Sequence, residues 1–296
     1  VRAFDRDSSL DVNQYTAEVL KEKGFEKATL GLEYDCCTLR TFKALQRHLP
    51  NVKFKDATDI LLLARAIKEP KEVELIRKSV SIAEDGLKVA IEIAKPGVTE
   101  IEVQREAEIE MRKKGAIREI ESMCQSGKRT ANYRAFAAEW KKIEKNDLIV
   151  VDLGCIYKGY GSDITRTWIV GEATSEQKKI ARDLYSVYEK IVDFIKPGMK
   201  LSDVIMFAQN ELKKYGYSQD QRIFPHQRRL SIHGIGLGPF HELPDIEHND
   251  LTLEPGMTFA IQPSIRHKAF TIRFEDDAVL TDNGVELMTK LPRELI

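Results

Sequence analysis

Two aspartates in residues 147–170, DLIVVDLGCIYKGYGSDITRTWIV, are the first residues whose type and spacing suggest chemistry. Asp152 lies inside an apolar run, where a lone carboxylate is costly to bury unless something compensates its charge. Asp163 follows in a second β-rich run, and the turn-prone tip at 158–159 predicts a hairpin. If the turn centres on 157–158, the two carboxylates face each other on one side of the sheet. Like charges in that arrangement favour a cation between them; one buried ion-paired Asp and one turn Asp is the plainer alternative.

Three later residues extend this set of candidate ligands. His233 lies between apolar neighbours in SIHGIGLGPF, where the glycines do not form GxGxxG ahead of a helix, so a nucleotide loop is not predicted. Gln262 lies within a strand-like run over 257–265 that follows an EPG turn, and Glu275 lies in a run that alternates apolar and polar residues. Taken singly, His233 is more often a satisfied core histidine and Glu275 a surface charge linked to Arg273.

The elements that must position these residues contain an internal repeat. A long helical pattern stops at Lys95-Pro96-Gly97, after which Thr99 and Glu102 predict a capping box at the start of a second helix. A shift of 101 residues places this motif on Lys196-Pro197-Gly198, again between a longer and a shorter helical pattern. The second domain is therefore predicted to be two copies of a helix–turn–helix–strands unit. Copies related by a pseudo-two-fold axis would leave a shared pocket at their junction.

The length of the chain and the long helical pattern that begins after residues 68–70 predict two domains. Residues 1–68 are predicted to form a small N-terminal α/β domain and residues 69–296 a larger one, in an α/β (α+β) chain. The predicted elements of the first domain are helices over 11–23 and 39–49 and strands over 28–32 and 52–54.

Charge and composition exclude several kinds of partner. The formal net charge is -1, and neither a basic tract nor a basic amphipathic helix stands out, so we predict no nucleic-acid and no membrane partner. No apolar run approaches the roughly 18 residues of a membrane span, and no signal peptide opens the sequence. The four cysteines lack CxxC spacing and are predicted to be reduced thiols of a cytoplasmic protein, with Cys155 in a packing role.

Taken together, these segments resemble the creatinase/aminopeptidase superfamily, and within it the prolidases (Xaa-Pro dipeptidases) and aminopeptidase P. The matching segments, in family order, are DLGCIYKGYGSDITRT, HGIGLGPFHELP, LEPGMTFAIQP and RFEDDAVLTDNG. The resemblance implies a small creatinase-like domain followed by a pseudo-two-fold domain of the pita-bread fold. Because residues 1–68 are short beside a full first domain of the family, a trimmed N-terminus is also expected.

The resemblance implies a set of metal ligands. Asp152, Asp163, His233 and Glu275 match four of five family positions that hold divalent ions, which would be Mn²⁺, Co²⁺ or Zn²⁺, one or two per chain. The fifth position, a family glutamate, is Gln262 here. An amide cannot bridge two cations with anionic oxygens or accept a proton from water, so metal binding is expected to weaken.

The implied activity is metal-dependent hydrolysis of short peptides with proline after the cleaved bond, slowed by Gln262, since losing a general base typically costs about 10²–10⁴-fold in rate. His241 would act catalytically by a hydrogen bond to the substrate or the intermediate. Arg134, at the place of a substrate-contacting family histidine, and Arg273 are expected to bind substrate.

Two other functions stay open. The first is a non-catalytic pita-bread relative that binds a peptide or a protein. The second is metal-free C–N hydrolysis like that of creatinase, which also uses the histidine missing near Arg134. Because relatives often pair through the first domain, a homodimer is expected.

Overall fold

The computed structural model describes residues 11–131, 137–217, 232–238 and 251–293. The chain mixes helices and strands and divides into two compact units, Val1–Ala64 and Arg65–Ile296. Two candidate site residues, Arg134 and His241, lie outside the described residues.

The first unit is a small α/β domain. Its elements are α1 (Val12–Glu22), β1 (Thr29–Leu32), α2 (Leu39–His48) and β2 (Lys53–Asp56), followed by α3 (Thr58–Ala66). The predicted helices and strands are confirmed to within about two residues, and both predicted helices begin at a side-chain cap. The Asp11 side chain accepts the backbone N–H groups of Asn13 and Gln14 at the start of α1. Helix α3 was not predicted, because its short apolar run lacks a clear helical period.

The second unit contains the predicted helical repeat. Its first pair is α4 (Pro70–Ile93) and α5 (Glu100–Lys113), and its second is α6 (Ser175–Phe194) and α7 (Leu201–Lys214). The capping box of Thr99 and Glu102 is confirmed.

The turns within the two helix pairs also correspond. The Gly97 N–H donates to the Ile143 carbonyl at 2.9 Å, and the Gly198 N–H donates to the Leu253 carbonyl at 2.8 Å. The two glycines are 101 residues apart and make corresponding contacts, although their acceptors, Ile143 and Leu253, are 110 residues apart.

Antiparallel strands follow each helix pair. The first sheet contains β3 (Arg118–Ser126), β4 (Leu148–Tyr157), β5 (Tyr160–Gly161) and β6 (Ile164–Ile169), with β4 at its centre. After α7 come β7 (Ile232–Gly234), β8 (Thr258–Ile261), β9 (Ser264–Arg266), β10 (Thr271–Arg273), β11 (Asp276–Thr281) and β12 (Gly284–Leu287). The second sheet has the order β12-β11-β8-β7, and β9 pairs with β10.

The two sheets meet at a backbone bridge between Thr165 of β6 and Glu275, which lies between β10 and β11. The Thr165 N–H donates to the Glu275 carbonyl at 3.3 Å, and the Glu275 N–H returns to the Thr165 carbonyl at 3.2 Å. The junction of the two copies is therefore where one candidate ligand lies.

The predicted hairpin forms, but its register differs from the expected one. Lys158 and Gly159 form the tip, with φ of 48° and 95°, as a tight two-residue hairpin turn requires. This tip is centred one residue later than 157–158, which moves the pairing by two residues. Asp152 therefore lies opposite Thr165, with Asp163 diagonal to it. A shift of two preserves the face, since side chains alternate with period two.

The helices cover the outer faces of the sheets. The apolar side chains of α4 and α5 pack on β3, β4 and β6, and those of α6 and α7 pack on β7, β8 and β11. Cys155 lies in the first of these cores, and burial raises the pKa of its thiol, which confirms the packing role. Within the described ranges, no helix has the length and apolar character needed to cross a bilayer.

Candidate metal centre

His233 is the middle residue of β7 and stands at one end of a row of three paired residues. It pairs with Ala260 of β8, which in turn pairs with Asp277 of β11. The ring Nδ1 lies 3.3 Å from the Gly234 carbonyl oxygen. Because a carbonyl only accepts, this contact is a hydrogen bond in the tautomer that carries its proton on Nδ1, and in that tautomer the Nε2 lone pair can bind a metal ion.

Two carboxylates converge on that lone pair. The Nε2 atom of His233 lies 3.1 Å from Oε1 of Glu275 and 3.5 Å from Oδ2 of Asp163. The ligand atoms of these three buried residues all lie within 4.8 Å of one another. Three of the four residues predicted as charged or imidazole ligands are therefore brought together by β7, the segment before β6 and the segment before β11.

Glu275 is fully buried, and its second oxygen is occupied. Oε2 accepts the Thr165 hydroxyl at 2.6 Å and also binds the guanidinium of Arg273. Burial by itself would raise the pKa of this carboxyl, but Arg273 and His233 together bring it below its ordinary value. Glu275 is therefore an anion that presents Oε1 to the centre of the cluster.

Asp163 lies outside the sheet ladder, between β5 and β6, and is anchored through its backbone. Its N–H donates to Oδ2 of Asp277 at 2.8 Å. Burial, followed by the charges of Glu275, Asp152 and Asp277, raises the pKa of the Asp163 carboxyl well above its usual range. Burial and neighbouring carboxylates also raise the pKa of Asp277. Negative charge is thus crowded at this place.

Asp152 adjoins the cluster through Arg273. Nη1 of Arg273 lies 2.8 Å from Oδ2 of Asp152, and Nη2 binds Glu275, with 4% of the arginine exposed. These contacts differ from the expected substrate contact of Arg273, because both terminal nitrogens of the guanidinium already hold carboxylates. Arg273 is a cation built into the cluster.

Gln262 directly follows β8 and is half-buried. In the pairing of β8 with β11, Ile261 lies opposite Asp276, so one further step of the same register sets Gln262 against Glu275. The parity of β8 also gives Gln262 the face of Ala260, which pairs with His233. The backbone therefore assigns the amide to the edge of the cluster.

The ligand atoms of this cluster suit a divalent cation. Two carboxylate oxygens and an imidazole nitrogen lie within 4.8 Å of one another in a buried place. Such acceptors repel unless a proton or a metal ion lies among them. Oxygen and imidazole donors together suit Mn²⁺, Co²⁺ or Zn²⁺.

Two residues of the cluster were not predicted from the sequence. Thr165 and Asp277 each lie two residues beyond a predicted ligand, Asp163 and Glu275 respectively, and so have the same strand parity. That period-two spacing is the signal that would have found them.

Comparisons with known proteins identify similar chains. The family model described as Metallopeptidase family M24 matches residues 74–282, and the Creatinase/Prolidase N-terminal domain matches residues 4–67. An Xaa-Pro dipeptidase of Pyrococcus furiosus is 37% identical over 250 residues, which cover 83% of this chain and 70% of that protein.

Solved structures show the same likeness. The chain is similar to an Xaa-Pro dipeptidase from Bacillus anthracis, with a TM-score of 0.86 and 32% identity over 98% of this chain and 79% of that one. It is also similar to an X-Pro aminopeptidase from Thermotoga maritima MSB8, with a TM-score of 0.81 and 29% identity over 97% of this chain and 80% of that one.

Proposed function

The chain belongs to metallopeptidase family M24, and from this premise we propose that it hydrolyses short peptides with proline after the scissile bond. The observation that carries the proposal is the convergence of Asp163, His233 and Glu275 on one buried point. The names of the similar proteins support the Xaa-Pro substrate.

We propose that these three residues hold one divalent ion and that Asp152 contributes to a second, weaker position. When bound, such an ion supplies Lewis acidity that polarises the scissile carbonyl and makes water nucleophilic near neutral pH. The number of ions is therefore one or two per chain, and Mn²⁺, Co²⁺ and Zn²⁺ are the candidates.

The remaining side chains have supporting tasks. Arg273 pairs with the carboxylates of Asp152 and Glu275, and the Thr165 hydroxyl orients Glu275 so that its Oε1 faces His233. We propose that Gln262 replaces a family glutamate that accepts a proton, which an amide does not do. We therefore propose slow hydrolysis, with His241 and Arg134 as the residues that contact the peptide.

The test is hydrolysis of Xaa-Pro dipeptides and Xaa-Pro-Yaa tripeptides after chelation and reloading with each metal. Turnover that depends on metal and is lost in Asp163→Ala supports the proposal, and a preference for dipeptides or tripeptides decides between dipeptidase and aminopeptidase. Glu211→Ala, a change in α7 away from the cluster, is the matched carboxylate control. Absence of turnover with every metal, in folded protein, would refute the activity.

Gln262 favours a second candidate, a relative that binds peptides without cleaving them. This function predicts that an Xaa-Pro peptide is retained after chelation and released intact. Loss of peptide binding on chelation would contradict it, because binding would then depend on the metal. The homodimer and the cytoplasmic location stay predictions, which sedimentation and cell fractionation would test.

A further inference from the structure

Arg166 of β6 is fully buried, and all five of its N–H donors have acceptors. One guanidinium thus satisfies its whole hydrogen-bonding capacity inside the protein. The bonds run from Nε to the Pro292 carbonyl at 2.9 Å, from Nη1 to the carbonyls of Thr165 and Glu275 at 2.8 Å each, and from Nη2 to Oδ1 of Asp276 and the Leu291 carbonyl at 2.6 Å each.

Two of these bonds hold the bridge between the sheets. The carbonyls of Thr165 and Glu275 already accept from each other's N–H groups, and Nη1 of Arg166 binds both carbonyls from the side. The Thr165 hydroxyl binds the Glu275 carboxylate. The backbone and the carboxylate of Glu275 are therefore held by two consecutive residues of β6.

The other three bonds tie this bridge to the C-terminal segment 288–293. Arg166 binds the carbonyls of Leu291 and Pro292, and Asp276 is shared with Arg293, whose Nη1 lies 2.8 Å from Oδ2 of Asp276. Glu84 of α4 accepts the N–H groups of residues 290 and 291. The segment is thus fastened on both sides and cannot shift without breaking several buried bonds.

We propose that Arg166 is a positioning residue that fixes Glu275 for metal binding by clamping the Thr165–Glu275 bridge against segment 288–293. This inference rests on the metal site proposed above. Five acceptors surround the planar guanidinium of Arg166, which has five N–H donors to bind them. A lysine ammonium has three donors on a flexible stem and could not bind all five. Partners behind a metal ligand typically change metal affinity by about 10- to 100-fold when they are removed.

The test is a graded series of variants of the full chain, Arg166→Lys, Arg166→Met and Asp276→Asn. In Arg166→Met, Asp276 keeps its pair with Arg293, and in Asp276→Asn four of the five Arg166 bonds remain, so a folded member of the series is expected. Glu211→Gln is the control. It neutralises a buried carboxylate of α7 that is paired with Lys190 and Lys214. The readouts are circular dichroism, the Co²⁺ dissociation constant and the visible spectrum of bound Co²⁺.

We expect both Arg166 variants to bind Co²⁺ about 10- to 100-fold more weakly than wild type and to change its visible spectrum, so that Arg166→Lys does not restore binding. The Co²⁺ affinity of Asp276→Asn should lie between that of the Arg166 variants and that of wild type. Glu211→Gln should unfold at a lower temperature than wild type but keep the wild-type Co²⁺ affinity and spectrum. Lower stability of the series with wild-type affinity and spectrum would overturn the clamp alone. Wild-type protein that binds no metal would overturn the metal site and the clamp with it.

Discussion

Replacing Gln262 by Glu tests most directly whether this residue lies beside a metal site. The change adds a carboxylate at the register position opposite Glu275, on the face of β8 shared with His233. In metal-free protein the new charge meets an environment that already raises the pKa of Asp163. We therefore expect metal-free Gln262→Glu to be less stable than wild type and the metal-loaded variant to be more stable.

The size of the effect follows from opposing electrostatic contributions. Two unit charges 4 Å apart attract by about 4 kcal/mol at the effective dielectric of about 20 that suits protein sites. A divalent ion doubles this attraction, but desolvation and repulsion from Glu275 remove most of it. A net gain of about 1.4–2.8 kcal/mol in metal binding, or about 10- to 100-fold in Kd, is the expected result.

This gain converts into a melting shift. At saturating metal, each tenfold gain in affinity adds about 1.4 kcal/mol to the free energy of unfolding, and a domain of about 150–250 residues melts about 2–4 °C higher per kcal/mol. Mn²⁺ should therefore raise Tm by about 3–11 °C more in Gln262→Glu than in wild type. Hydrolysis of an Xaa-Pro dipeptide should rise as well, by up to about 10²–10⁴-fold.

The measurements are calorimetric titration with Mn²⁺, thermal unfolding with and without metal, and dipeptide hydrolysis. Gln46→Glu, the same chemical change at an exposed position of α2, is the matched control and should leave all three unchanged. Equal Mn²⁺ affinity and equal metal-induced shifts in Gln262→Glu and wild type would refute the placement of Gln262 beside the metal. A gain in affinity without a gain in rate would instead point to the region of Arg134 as the defect.

Three further outcomes are expected. Arg273→Met leaves the buried Glu275 carboxylate and the half-buried Asp152 carboxylate without their cation. It should lower the free energy of unfolding in chelator by about 3–5 kcal/mol, less with Mn²⁺ present; urea curves that show equal losses in both conditions would argue against it. Gly159→Ala, at φ 95°, should lose about 1–2 kcal/mol in thermal unfolding, and an unchanged Tm would mean that the hairpin tip relaxes. Thr99→Ala removes the cap of α5 and should lose about 0.5–2 kcal/mol in the same assay, with wild-type stability contradicting the cap.

Features with a short-range cause were predictable from the sequence. The caps and the repeat depend on residues within a few positions of one another, and the helix ends are where Thr99 and the two Lys-Pro-Gly turns predict them. The hairpin tip was also predictable, because Lys158-Gly159 supplies the backbone conformation that a two-residue turn needs.

Features that depend on pairing across the chain were less predictable. The pairing of Asp152 was misassigned because a one-residue difference in the turn centre moves the register by two, while strand parity kept Asp163 on the predicted face. The partners of Arg273 could not be inferred, since an arginine two residues from a ligand binds a substrate or a neighbouring carboxylate with equal plausibility in sequence alone. The structure brings Asp152 and Glu275 to it from different sheets.

The guanidinium of Arg273 has a consequence for how the protein exchanges its ion. In a pocket lined only by carboxylates, loss of the ion would leave like charges that repel one another and displace the side chains. Here a covalently attached positive group stays behind and holds Asp152 and Glu275 in register. We therefore expect that a divalent ion can be removed and returned without unfolding of the protein.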